Sequence, residues 1–125
     1  MIREDFIERL VRQLAELLAR VLKLARAGQT DEARLAVREA AGALFGIELD
    51  ALLKLDAATA AQLLGDWRKT LALAEVLHAL SEVEAQAGDA ALSRDRLAHA
   101  LALTAQVDRA EARALENGWL SPKPG

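Results

Sequence analysis

The fold is decided first by residues 3–28, which read REDFIERLVRQLAELLARVLKLARAG. Apolar residues recur through this stretch at helical spacing, and Gly28 ends it with a residue suited to a left-handed helix cap. Two neighbouring apolar stripes run along the predicted helix: Ile7, Leu10, Leu14, Leu17, Val21 and Leu24 in one, and Phe6, Val11, Leu18, Leu22 and Ala25 in the other. A helix that is apolar on two sides must be covered on two sides.

A second helix follows after a short turn. Thr30 is predicted to cap it, because a threonine hydroxyl at that position can accept from the backbone N–H groups of the first turn. Its apolar positions continue to about Leu44, and Gly46 then ends it. The two helices form a predicted antiparallel hairpin over residues 3–45.

The remaining helices are separated by the same kind of glycine stop. Residues 47–65 predict two short helices, the second capped by Asp56, and residues 66–116 predict another hairpin whose helices begin at Asp66 and Asp89. On the last helix, the residues expected on the inner side are Leu97, Ala100, Leu101, Thr104 and Val107.

Composition supports an all-α domain. Of the 125 residues 53% are hydrophobic but only 3% aromatic, and most of that apolar content is Ala and Leu, which lead the helix-propensity ranking. Cysteine is absent and β-branched residues are few, so disulfides, thiolate metal sites and a sheet are not expected. We expect one helical domain over residues 1–118 and a flexible tail over 119–125.

Charge and hydropathy exclude two classes of partner. The net charge is −3, and acidic and basic residues alternate along the helices, so nucleic acid is not an expected partner. No window approaches the ~20 uncharged residues that a membrane helix requires, and the charged N-terminus does not read as an export signal. A cytoplasmic protein without a membrane partner is the expectation.

The two predicted hairpins share a pattern when they are aligned on Gly28 and Gly88. At offsets of five, nine and twelve residues, a small, an apolar and a small residue recur: Ala33, Val37 and Ala40 in the first hairpin, and Ser93, Leu97 and Ala100 in the second. This pattern resembles the turn and second helix of a tetratricopeptide (TPR) repeat. In the second hairpin, Leu80-Ser81 also stands where the TPR pattern has a Leu-Gly pair.

The resemblance implies TPR-like antiparallel hairpins and a generic protein-interaction role. The chain is also similar to a family of small uncharacterised bacterial proteins with TPR-like hairpins, a resemblance that supplies no substrate, cofactor or catalytic residue. The two glycines are 60 residues apart, against ~34 in a regular TPR array. The short helices of residues 47–65 are therefore an insertion between the hairpins, and a regular superhelix is not expected.

Glu75, His78 and Glu82 are the candidate partner-binding residues. By the repeat alignment they fall where TPR proteins line their concave groove, and no Lys or Arg occurs between Thr70 and Ser93. An acidic groove would suit a basic or amine-bearing peptide, whereas the structural alternative is a solvated helix face.

The Glu75-x-x-His78 spacing also occurs in the helix pairs that bind di-iron centres. Such a centre needs two of these units, and the chain has one, so a metal site would have to be assembled across a homodimer. The alternative function is therefore a metal-binding helical protein, and the alternative role of His78 is a solvated or hydrogen-bonded side chain.

The candidate association face is the second stripe of the first helix, represented by Val11, Leu18, Leu22 and Ala25. These residues could not stay exposed together as one patch. Either the short helices of residues 47–65 cover them, or the same helix of a second subunit does. The second reading predicts a homodimer.

No residue pattern predicts an enzyme. Asp95 and His99 can be drawn as a pair on the last helix, but no nucleophile joins them from a separate element. Trp67 is expected to pack in the core at the start of its helix. We therefore expect a non-enzymatic protein–protein interaction or oligomerisation module without a cofactor.

Overall fold

A computed structural model describes the backbone of residues 4–116 and the side chains of residues 5–6 and 8–109. Within these bounds the chain forms six helices and no strand: α1 (Glu4–Arg26), α2 (Thr30–Phe45), α3 (Leu49–Leu53), α4 (Ala57–Leu64), α5 (Trp67–Gln86) and α6 (Ala90–Glu116). The all-helical prediction is confirmed. None of these helices is long and apolar enough to cross a membrane. The predicted tail, with Trp119, lies outside the described residues.

Three predicted helix caps are confirmed by side-chain hydrogen bonds. The backbone N–H of Thr59 donates to Asp56 (2.7 Å), that of Arg68 to Asp66 (2.8 Å) and that of Leu92 to Asp89 (3.0 Å). Each carboxylate satisfies a donor that the first turn of its helix leaves without an intrahelical partner.

The predicted cap at Thr30 is wrong. Gln29 occupies the cap position without a side-chain hydrogen bond, and Thr30 is already helical. The reason is that one backbone turn serves both helices: the N–H of Gln29 donates to the Leu24 carbonyl (2.9 Å), while its own carbonyl accepts from Ala33 (3.0 Å). Ending α1 in this Schellman-type turn therefore starts α2 one residue early.

The turn between α5 and α6 repeats this arrangement. The backbone N–H of Asp89 donates to the Glu84 carbonyl (2.9 Å), and the Asp89 carbonyl accepts from the backbone N–H of Ser93 (3.0 Å). Gln29 makes the same two backbone hydrogen bonds in the first turn. Gly28 and Gly88 have φ of 81° and 86°, the left-handed conformation that both turns require. The two hairpins are thus closed by equivalent turns.

Helix α5 lies at the centre of the molecule. It packs against α6, α1, α2 and α4, and eleven of its residues are buried. At one end Lys69 Nζ lies 5.6 Å from the Phe6 ring centre, and at the other Glu84 is paired with Arg34 at the start of α2. These contacts show that α1 and α5 run side by side in the same direction.

The predicted inner side of α6 is partly wrong. Ala100 and Val107 are buried, but Leu97 and Leu101 are exposed and Leu103 takes the inward position. The Ser93 hydroxyl donates to the Ser81 carbonyl (2.7 Å), which fixes the rotation of α6 at its beginning. From Ser93, steps of seven residues lead through the buried Ala100 and Val107. Leu103 and Leu97 lie on opposite sides of this line, and α6 buries the side of Leu103.

Candidate functional site

Helix α5 has one exposed line along its middle. Between residues 70 and 84, only Leu71, Glu75, His78 and Glu82 are exposed, and the other residues are buried. Their spacing of four, three and four residues places them on one face. The three predicted partner-binding residues therefore share a surface with Leu71.

This exposed line borders a groove between α1 and α5. The groove has a volume of about 390 Å³ and is open to solvent. Its walls are almost wholly apolar, with charged groups from Arg68 and Glu75 alone: Leu10, Val11, Leu14, Ala15 and Leu18 from α1, and Trp67, Arg68, Leu71, Ala72 and Glu75 from α5. An open apolar trough of this kind suits side chains of another polypeptide.

Only part of the candidate association face is accessible to solvent. Ala25 is buried in the core, Leu18 and Leu22 are half-buried against it, and Val11 is 58% exposed. The part of the face available to a partner is therefore its N-terminal end, where α1 and α5 form the groove. The C-terminal end of the face lies against the core.

The short helices of residues 47–65, one of the two alternatives for covering this face, pack mainly against other helices. Helix α3 packs against α2, and α4 packs against α5 and α6, so neither of them is the main neighbour of α1. Leu52 and Leu64 are buried in the core. Helix α5 runs alongside α1 and forms the groove with the N-terminal part of the second stripe, where Val11 stays exposed. Spacing within one helix could not reveal this neighbour.

Charged side chains continue the face beyond the groove. Glu75 and Glu82 are exposed on α5 and form no ion pair with any residue from 5 to 109 whose side chain is described. On α1, Lys23 and Arg26 are exposed and likewise form no ion pair within that set. Helix α1 also exposes Asp5, Glu8 and Glu16 and therefore carries charges of both signs, whereas α5 exposes carboxylates but no Lys or Arg between residues 70 and 84.

Glu75 and His78 lie next to each other on the exposed line of α5. Among the described residues, no group of three or more His, Asp or Glu side chains is arranged to hold a metal ion. A metal site assembled across a homodimer stays a prediction. Elemental analysis of untagged protein would test it, and stoichiometric iron, zinc or manganese would be required.

A buried ion pair links the two hairpins, and the sequence analysis missed it. Glu84 is 3% exposed, and Arg34 donates to it from Nε (3.0 Å to Oε2) and from Nη2 (2.6 Å to Oε1). Arg34 also pairs with the exposed Asp31 at 2.7 Å. The only available signal was that Glu84 falls one turn after Leu80 on the buried side of its helix. This pair holds α2 against α5.

His99 is half-buried on α6, and its Nε2 atom has no hydrogen-bond partner among the described residues. Burial lowers the pKa of His99, and the nearby Arg96 guanidinium lowers it further. Asp95 is exposed and forms no ion pair with His99. The Asp95–His99 pair considered from the sequence is therefore not formed in the described part of the chain.

Trp67 is half-buried at the start of α5 and lines the groove, so its predicted place in the core is only partly right. The Arg68 guanidinium lies 5.5 Å from the centre of the Trp67 ring and also pairs with Asp66 at 3.2 Å. These contacts hold the tryptophan at the mouth of the groove.

Comparisons of the chain with protein-family models, with curated proteins and with solved structures found no match.

Proposed function

We propose that this chain is a non-enzymatic protein–protein interaction or oligomerisation module that acts in the cytoplasm through the face formed by α1 and α5. The observation that carries the proposal is the apolar groove, which continues along both helices into exposed charged residues. An apolar centre bordered by charge is the usual composition of a protein-binding surface.

The TPR-like resemblance supports the same surface. In TPR proteins the first helices of successive hairpins line the concave groove, and α1 and α5 are the first helices of the two hairpins here. The parallel course of α1 and α5 and the equivalent turns after them agree with this arrangement. Glu75, His78 and Glu82 are then the charged groups that a partner meets.

Site-specific photo-crosslinking in the native cells tests the proposal. A photoreactive amino acid replaces Leu71 at the groove, and in the control it replaces Leu101, an exposed leucine on α6. We expect position 71 to give a discrete crosslinked polypeptide, identifiable by mass spectrometry, and position 101 not to give it. Equal products from both positions, or none from position 71, would overturn the proposal.

A further inference from the structure

Two buried nitrogen atoms on one side of α6 have no hydrogen-bond partner among the described residues. They are Arg96 Nε and His99 Nε2. Because the two residues are three apart on a helix, their side chains are neighbours. A buried polar atom without a partner costs free energy, since it has lost water and gained no hydrogen bond in exchange. Packing over these two side chains is therefore less favourable than an apolar contact of the same size.

The α3–α4 segment, residues 49–64, lies next to His99. The backbone of Leu55, in the connection between α3 and α4, is close enough to His99 to act on its pKa, and α4 packs against α6. The segment also contributes four residues to the core: Leu49, Leu52, Ala60 and Leu64. These apolar contacts hold the segment in place while His99 is neutral.

Among the described residues, Arg96 is the only charged group that acts on the pKa of His99. Burial lowers this pKa most, Arg96 lowers it further, and the Leu55 backbone raises it by less. The connection itself carries Lys54 and Asp56, which are both exposed. Helix α4 has no ionisable residue, and no charge on α5 acts on this pKa. A proton on His99 would therefore meet a second positive charge and no carboxylate.

We propose that the α3–α4 segment opens away from α6 when His99 takes up a proton. Opening hydrates both the imidazolium and the Arg96 guanidinium, which the closed packing does not allow. The change is separate from the α1/α5 groove, whose lining contains neither Arg96 nor His99.

The α3–α4 segment is the part that moves, because its helices are the shortest in the described chain. Helix α3 has five residues and α4 has eight, and helices of this length are not stable alone. Helices α5 and α6, in contrast, share the most extensive contact of any two helices described. Gly46 and Gly65, which end the helices on either side of α3 and α4, have a positive φ and allow the backbone to turn there.

The direction of the pH dependence follows from the lowered pKa. In the open form His99 is hydrated and binds a proton at its ordinary pKa of 6.5, whereas the closed form binds it less readily. Opening is therefore independent of this group above pH 6.5. Below pH 6.5 the open fraction rises by at most about tenfold per pH unit, until the pKa of the closed form is reached.

Thiol labelling tests the inference, because the chain has no cysteine of its own. Ala60→Cys places a thiol at a fully buried position of α4, and Ala74→Cys places one at a buried position of α5. Each is labelled with a disulfide reagent that reacts in acid, and the rate is divided by that of an unstructured cysteine peptide. We expect Ala60→Cys to react on the order of tenfold faster than Ala74→Cys. Its relative rate should rise by up to about tenfold between pH 6.5 and about 5.5.

Substitutions in the Ala60→Cys chain assign this rise to His99. His99→Gln should remove it, whereas His78→Gln, at an exposed histidine, should keep it. Arg96→Gln should reduce it, because loss of that cation brings the pKa of His99 closer to 6.5. Circular dichroism at neutral pH checks that each variant is folded.

Three results would overturn the inference. Equal labelling rates for Ala60→Cys and Ala74→Cys would mean that the segment opens only when the whole chain unfolds. A relative rate for Ala60→Cys that does not change with pH would remove the link to protonation. A rise that persists in both His99→Gln and Arg96→Gln would assign the link to another group.

Discussion

Glu84 is the one carboxylate buried in the described part of the core, and its pairing with Arg34 holds α2 against α5. A buried carboxylate is tolerated only when opposite charge and hydrogen bonds replace its hydration. Arg34 supplies both through two nitrogen atoms. The same hydrogen bond to Glu84 is the main reason why the pKa of Arg34 is raised above its ordinary value.

Replacing Arg34 with Ala should lower the free energy of unfolding by about 2 kcal/mol. The expected loss is below the range for fully buried pairs because the Arg34 side chain is 28% exposed. Urea denaturation followed by circular dichroism gives the value. Arg38→Ala is the control: its partner Asp50 is 61% exposed, so the change should stay within about 0.5 kcal/mol. Equal losses in both variants would contradict the assigned role of Glu84.

His99 should make stability depend on pH. Its pKa is lowered in the folded protein, so below the ordinary value of 6.5 the unfolded chain binds the proton more readily. Stability is therefore complete above pH 6.5 and falls as the pH drops towards the folded pKa, with a slope of at most about 1.4 kcal/mol per pH unit.

The contribution of His99 can be isolated by substitution. Urea denaturation at several pH values should show a smaller loss below pH 6.5 for His99→Gln than for wild type. His78→Gln changes an exposed histidine and should keep the wild-type profile. If the two variants have the same profile, burial of His99 does not control this dependence.

At the scale of the helices, the glycine stops are determined by backbone conformation. Gly88 has a φ of 86°, and no atom lies within 4 Å of a methyl group built there. The cost of a side chain at this position is therefore conformational and not steric. Gly42 lies inside α2 with equally open surroundings, but without a positive φ.

Substituting the two glycines should change stability in opposite directions. Gly88→Ala should destabilise the protein by about 1 kcal/mol, because an L-residue is strained in the left-handed region. Gly42→Ala should stabilise it by about 0.5–1 kcal/mol, because alanine loses less entropy in a helix. Thermal and urea unfolding measure both. A destabilising Gly42→Ala would show that this part of α2 does not behave as a simple exposed helix.

At the scale of the whole molecule, stability should depend on α5 because four other helices pack against it. Leu77 is fully buried at its centre, and Leu77→Ala should cost about 3 kcal/mol. Leu101→Ala, at a position 62% exposed, should cost less than about 0.5 kcal/mol. Unfolding of both variants should remain a single transition, and two transitions in Leu77→Ala would mean that the hairpins unfold independently.

The sequence by itself determined the helices and most of their ends. Helical periodicity, high propensity and the cap residues Asp56, Asp66 and Asp89 are local properties, because each depends on atoms within about one turn. The sequence placed the cap of α2 at Thr30, whereas the structure has it at Gln29. A single turn ends α1 and begins α2 here, and capping rules treat each helix separately.

Only the tertiary structure decided which apolar faces are covered and which remain open. The second stripe of α1 predicted a covering surface, but its neighbour is set by the parallel packing of α5, and the rotation of α6 by the contact of Ser93 with Ser81. The groove beside Val11 and Leu71 arises from two helices that are far apart in sequence. Contacts of this range depend on the global arrangement of the chain, so no local pattern encodes them on its own.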